Sequence, residues 1–189
     1  MRDAHTATVE HVGILEVRRH SDRKATGGSQ LSQDGVDRAR RIGSTMGPFV
    51  KVVTSVLPRA RETAIAMGFA VDHELVTMTN EPSLHEDAGR LAEGTFLALA
   101  KTLDVPGPFR DYAHSMAGVW RDLMTPIGNA EDAVLFIGHS GEIESALVAC
   151  FPHEDHAAWG GFFGPCEGAR LRFTGEPAHW TEVELIRTN

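Results

Sequence analysis

Three short apolar runs, Val12 to Arg18, Val50 to Thr54 and Ala133 to Gly138, constrain the fold of this chain more tightly than any other feature. Each is nearly continuous in apolar residues, as expected of a strand covered on both faces in a parallel sheet. Helical patterns follow all of them. After the first, Ser32 is placed to cap a helix of about three turns whose apolar face carries Val36, Ala39, Ile42 and Met46, with Gly47-Pro48 as its stop. After the second, Pro58 suits an early helical position, Ala60, Ala64 and Met67 form a stripe, and Gly68 ends it. After the third, Glu142 to Cys150 continues as a helix. Repeated strand-then-helix units predict an α/β fold. Its form is a three-layer αβα sandwich around an open, mostly parallel central sheet, with ligands bound beyond the carboxyl ends of the strands. His20, Ser55 and His139 stand at such ends.

Pro82 to Pro126 offers no clear strand; Pro108 to Met124 reads as a helix and the remainder as loops or a small insertion over the sheet. Gly168 to Gly175 and His179 to Ile186 alternate well enough to form two further strands, a hairpin at one edge. With 189 residues, 42% of them hydrophobic, and no repeat or linker, one domain is expected over 1–189, the insertion falling around 82–126.

The formal net charge of −8 argues against a broad nucleic-acid or anionic-membrane surface, while leaving room for a local cationic pocket and a small ligand. Cys150 and Cys166 are the only cysteines, too few for a disulfide framework and in keeping with a reducing compartment. The first residues lack the apolar stretch of a signal peptide, and no later run approaches the roughly 18 apolar residues of a spanning helix. A cytoplasmic protein without membrane partners is expected.

Against that acidic background the first strand ends in Arg18-Arg19-His20-Ser21-Asp22, cations crowded beside an imidazole. The arrangement suits a strand end that holds an anion while the imidazole attacks it; it suits equally a strand that has reached water. Thr54 to Ala64 sets Arg59 in the first turn of the second helix. There the helix terminus already favours anions, and a forked guanidinium can grip two phosphate oxygens. An ordinary exposed arginine fits the same position. Val134 to Leu147 delivers His139 at the end of the most hydrophobic strand, with Gly138 and Gly141 permitting close backbone approach; a buried, satisfied histidine is the alternative.

Taken in order, these stretches resemble the histidine phosphatase superfamily, also called the phosphoglycerate-mutase-like or RHG family, in the branch of the phosphoglycerate mutases. Its strand-then-Arg-His-Gly motif reads Arg19-His20-Ser21, and its Leu-Thr-x-x-Gly helix start is matched by Leu31 to Gly35. Its SSPLxRAxxTA pattern is matched by Thr54 to Ala64, and its late strand ending in His-Gly by Phe136 to His139, with Ser140 for the glycine. The resemblance implies that His20 attacks phosphorus and is transiently phosphorylated, that Arg19, Arg59 and His139 hold the phosphoryl oxygens, and that no metal or other cofactor is required. Phosphoryl transfer asks chiefly for in-line positioning and neutralisation of the equatorial oxygens, which converging cations on rigid elements can supply. His20 must be neutral to attack, and a hydrogen bond from its other ring nitrogen to a backbone carbonyl would fix the tautomer. Strand alternation turns Arg18 away from Arg19 and out of the site.

The family takes a proton for the leaving group from a loop Glu or Asp. In the phosphoglycerate-mutase-like branch that Glu follows a leucine by two residues and precedes a glycine, and Leu84, Glu86 and Gly89 fit the pattern. Glu86 is the expected acid, with Asp87 and Glu81 as alternatives and a solvated loop carboxylate as the plain reading. Ser21 and Ser140 replace the family's glycines and are expected beside the phosphate, each adding a Cβ and a hydroxyl that can donate a hydrogen bond or narrow the pocket. The expected activity is hydrolysis of a small phosphomonoester, or of a phosphohistidine on a partner protein. A weak or inactive member that binds phosphorylated ligands, a phosphomutase, and a serine acyl hydrolase built on Gly138 to Glu142 stand as alternatives. The sequence names neither the substrate nor the oligomeric state.

Overall fold

The computed structural model describes residues 11–26, 28–76, 93–175 and 178–188. Among them, β1 (His11–Arg19), β2 (Lys51–Ser55), β3 (His73–Leu75), β4 (Ala133–Gly138), β5 (Gly168–Gly175) and β6 (Ala178–Ile186) form one sheet in the order β3-β2-β4-β1-β5-β6. The first four in that order are parallel neighbours, while β5 runs antiparallel to β1 and β6 antiparallel to β5, the expected edge hairpin. Helices α1 (Gln33–Gly43) and α2 (Pro58–Met67) cover one face; α3 (Phe96–Leu103), α4 (Pro108–Met124) and α5 (Glu142–Cys150) cover the other. The result is the three-layer sandwich with a mostly parallel sheet that the strand-helix repeats predict.

Why the third apolar run cannot alternate is visible in β4. Val134 and Phe136 enter the core under α3 to α5, whereas Leu135 and Ile137 enter the one under α1 and α2, and all four are fully buried. The larger core holds Phe96, Phe109, Trp120, Phe136 and Phe163, so truncating any of these rings to Ala is expected to cost about 3–5 kcal/mol.

Ser32 caps α1 as expected, its Oγ accepting from the Gly35 N–H at 3.0 Å. The helix stops at Gly43, short of Gly47; on the expected face Ala39 is fully buried and Ile42 and Met46 pack half-buried against the same core, while Gly35 and Gly43 are buried as well. Close approach explains the two buried glycines. A Cβ on Gly43 would run into the Met67 carbonyl and one on Gly35 into the Asp22 carbonyl, so α1 lies on backbone where only glycine leaves room. Helix α2 starts at Pro58 and ends at Gly68 with φ 95°, the left-handed terminus that glycine adopts freely. In the stretch around 82–126, residues 82–92 lie outside the described residues, and 93–126 contribute α3 and α4 to the sandwich layer. Thr95 caps α3 by accepting from the Ala98 N–H. No described helix is long and apolar enough to cross a membrane.

Register brings three strand ends to one edge. Arg19 pairs with Gly138 across β1 and β4, and Thr54 with Ile137 across β2 and β4. His20, His139 and Ser55 therefore emerge side by side, the His20 N–H donating to the Gly138 carbonyl at 3.0 Å. One residue earlier, Arg18 points to the opposite face and is buried against Glu16 at 2.7 Å.

Candidate active site

His20 is almost fully buried, and its tautomer follows from its partners. Nδ1 lies 2.6 Å from the Ser21 carbonyl, which can only accept, so Nδ1 carries the proton. Nε2, left with its lone pair, accepts from the Arg59 Nε–H at 3.1 Å. Burial lowers the His20 pKa from 6.5 to about 4, the Ser21 carbonyl pulls it upward, and the charges of Arg59, Arg19 and Arg23 add to the fall. His139 stands beside it, ring centroids 5.2 Å apart, with Nε2 2.8 Å from Ser55 Oγ. Its pKa falls to about 3, through burial first and then the charges of Arg59, His20 and Arg19. Two neutral imidazoles thus sit among cations.

Arg59 reaches this point from the first turn of α2 and also donates to Ser29 Oγ at 2.8 Å. Arg19 donates from Nη1 to the Phe163 carbonyl, while its Nε and the Nδ1 of His139 are buried with no hydrogen-bond partner among the described residues. All six residues expected at the phosphate, Arg19, His20, Ser21, Arg59, His139 and Ser140, line one cavity of about 430 Å³, together with Asp22, Arg23 and Pro165. Asp22 does not neutralise the pocket, because its carboxylate accepts from Arg38 at 2.7 Å.

The two serines that replace glycines also line the cavity, but their hydroxyl protons are engaged by the protein. Ser21 Oγ donates to the Gly35 carbonyl at 2.8 Å, and Ser140 Oγ donates to Glu144 Oε1 at 3.2 Å. Glu86, Asp87 and Glu81 lie outside the described residues. His156, outside the cavity, bonds the Phe151 carbonyl and packs edge-on to Trp159.

Sequence reasoning missed the residues that hold the site in place. Thr63 accepts from the Ser21 N–H, clamping the loop after His20 to α2. Glu142 accepts from the His139 N–H at 3.2 Å. Fully buried Glu144 accepts from the amides of Gly141 and Phe163, and burial raises its pKa. The backbone of Phe163 therefore links Glu144, at its N–H, to Arg19, at its carbonyl. Ser55 and Thr63 had a signal in the matched motif; Glu142 and Glu144 had none beyond standing at a helix start. Arg23 follows the histidine by three residues and joins the cavity as its third arginine.

An αβα sandwich that gathers two neutral imidazoles and three guanidiniums at its strand ends defines a class, and residues 15–185 match the histidine phosphatase superfamily (branch 1). The chain belongs to that family. No curated protein sequence matches it. Among solved structures it is similar to a phosphoserine phosphatase from Entamoeba histolytica in complex with 3-phosphoglyceric acid. That match has 16% identity and a TM-score of 0.65 over 94% of this chain and 98% of the other. A mycobacterial glucosyl-3-phosphoglycerate phosphatase in complex with inorganic phosphate matches at 20% identity and TM-score 0.63, over 94% and 98% of the two chains. A phosphoglycerate mutase from Bacillus anthracis matches at 16% identity and TM-score 0.63, over 92% of each chain. At these identities the likeness establishes a shared fold.

Proposed function

We propose that the protein is a metal-independent phosphatase that hydrolyses a small phosphomonoester, or a phosphohistidine on a partner protein, through a phosphohistidine on His20. The observation that carries this reading is the fixed tautomer: Nδ1–H held by the Ser21 carbonyl leaves the Nε2 lone pair at a cavity lined by Arg19, Arg59 and His139. With its pKa lowered to about 4, His20 is neutral near pH 7 and available as a nucleophile. Arg59 then exchanges its bond to Nε2 for the incoming phosphoryl oxygens. Buried donors without partners, such as Arg19 Nε, cost about 1–3 kcal/mol until something meets them, and a phosphoryl oxygen is a suitable acceptor.

Attack forms the Nε2–P bond and breaks the P–O bond to the leaving group. Water then breaks the N–P bond and releases phosphate. A phosphomutase would return the phosphoryl group to a second hydroxyl, using the same histidine. Glu86 is the proposed acid for an alkoxide leaving group, with Asp87 and Glu81 as alternates. Glu86→Gln should lower kcat on an alkyl phosphate about 10²-fold and on p-nitrophenyl phosphate far less, because a nitrophenolate leaves unaided. Equal losses on both substrates would mark a positioning role. Hydrolysis of p-nitrophenyl phosphate in excess EDTA tests the reading as a whole, and activity restricted to added divalent metal would overturn it.

A further inference from the structure

Arg187, the residue after β6, does not line the cavity, yet its guanidinium is directed at the loop from Trp159 to Glu167, which supplies the cavity's Pro165. Nη2 donates to the Trp159 carbonyl at 2.8 Å and to the Gly161 carbonyl at 2.7 Å. Nη1 donates to the Phe162 carbonyl at 3.2 Å and to Glu167 Oε2 at 3.1 Å. The guanidinium carbon also stands 4.7 Å from the centre of the buried Phe163 ring. An ordinary surface ion pair would engage Glu167 alone. This fork takes three carbonyls as well, and so it fixes backbone.

Two peptide planes meet at Phe163, and each is gripped at both ends. A trans peptide is planar, with its C=O and N–H pointing opposite ways, so holding both groups fixes the plane. In the first plane Arg187 takes the Phe162 carbonyl while Glu144 takes the Phe163 N–H at 2.9 Å. In the second, Arg19 takes the Phe163 carbonyl while Glu167 Oε2 takes the Gly164 N–H at 2.8 Å. Arg187 enters both, directly at the first and through Glu167 at the second. The other oxygen of Glu167 is held by the Thr188 N–H at 2.9 Å. The backbone of Arg19 is tied to the same loop, its N–H donating to the Glu167 carbonyl at 2.8 Å and its carbonyl accepting from the Cys166 N–H at 3.1 Å. A continuous set of contacts therefore runs from Arg187 to the guanidinium of Arg19.

We infer that Arg187 is a positioning residue of the phosphate site: it holds the two peptide planes around Phe163 so that the Phe163 carbonyl fixes the Arg19 guanidinium in the pose that meets the phosphoryl group. The inference rests on the proposed phosphate site, in which Arg19 binds a phosphoryl oxygen, but not on turnover. Without Arg187 the Phe162 carbonyl and the Glu167 carboxylate turn to water, and the first plane is held at one end only. The Phe163 carbonyl then loses its fixed direction, while the charge of Arg19 stays at the cavity. What is lost is alignment, on the scale of one charge-assisted hydrogen bond, or about tenfold in anion affinity.

The test is a double-mutant cycle on the calorimetric Kd of orthovanadate, whose trigonal-bipyramidal adduct mimics the transition state and binds tightly enough to keep weakened variants measurable. Arg187→Gln should raise the Kd about tenfold in the parent. Arg187→Lys, which keeps the charge but not the fork, should recover part of that loss. In Arg19→Ala the same Arg187→Gln substitution should change the Kd less than about twofold, because the residue it acts through is gone. Urea unfolding midpoints are measured alongside, and binding is titrated under conditions where each variant is folded. If Arg187→Gln lowers the midpoint and leaves the Kd at the parent value, Arg187 only supports the fold and the inference is wrong. An equal rise in Kd with and without Arg19 sinks it too, since the effect then bypasses Arg19. Should Arg187→Gln not fold, Arg187→Lys takes its place in the cycle and the same outcomes decide. A parent that binds no orthovanadate overturns the phosphate site and the inference with it, a result distinct from intact binding that is indifferent to Arg187.

Discussion

Arg18 and Arg19 are adjacent residues of one type on one strand, and they live differently. Arg18 is buried with its guanidinium fully engaged, bonding Glu16 at 2.7 Å and the Cys166 carbonyl at 2.9 Å, while Arg170 approaches Glu16 from outside at 2.8 Å. Arg19, on the opposite face, has one nitrogen on the Phe163 carbonyl and a buried Nε with no partner among the described residues. A cation that its own fold satisfies is structural. One that its fold holds but leaves incomplete is prepared for a ligand, and strand alternation alone sorts the two.

The largest effect should come from the structural side. Glu16→Ala leaves Arg18 buried without its counter-ion and should cost about 3–5 kcal/mol of stability in a denaturant titration, with kcat per folded molecule largely retained. Arg19→Ala should do the opposite, lowering kcat/KM by about 10²–10³ while the unfolding midpoint changes little. If both variants lose stability and activity together, the contrast between the two arginines does not hold.

A pH titration sharpens the same contrast. The folded-state pKa values of about 4 for His20 and about 3 for His139 lie below the unfolded value of 6.5. The unfolded chain therefore binds more protons between these limits. Stability contributed by the neutral imidazoles is present above pH 6.5 and is lost as pH falls towards 4 and then 3, with a slope of up to about 1.4 kcal/mol per pH unit for each histidine. His139→Gln should flatten the slope, and an unchanged profile would mean that His139 is not held neutral. The smallest effect concerns Ser21→Gly, which removes the hydroxyl's bond to the Gly35 carbonyl and should cost about 1 kcal/mol.

Strand runs and their ends were legible because a strand covered on both faces has no choice but to be apolar throughout, as Val134 to Ile137 illustrate. His20 and His139 followed from position at those ends, and Arg59 from the first turn of the helix after β2. Less legible was β3, three residues of which His73 and Glu74 are exposed, and which exists only by pairing with β2. The burial of Gly35 and Gly43 on α1 was not legible, because glycines bury by close approach and carry no hydrophobic signal. Long-range scaffolding was beyond reach for a similar reason. Glu144 serves Arg19 through the backbone of Phe163, and nothing in the spacing of those residues announces it.

The most direct test is to catch the phosphoryl group on the nucleophile. Labelled substrate mixed briefly with the parent protein and quenched should yield a phosphoenzyme that is stable in alkali and lost in acid, as a phosphohistidine is. That species should persist in Ser140→Ala and vanish in His20→Ala. Label retained without His20, or an acid-stable adduct that depends on Ser140, would contradict the assignment of His20 as the residue that attacks phosphorus.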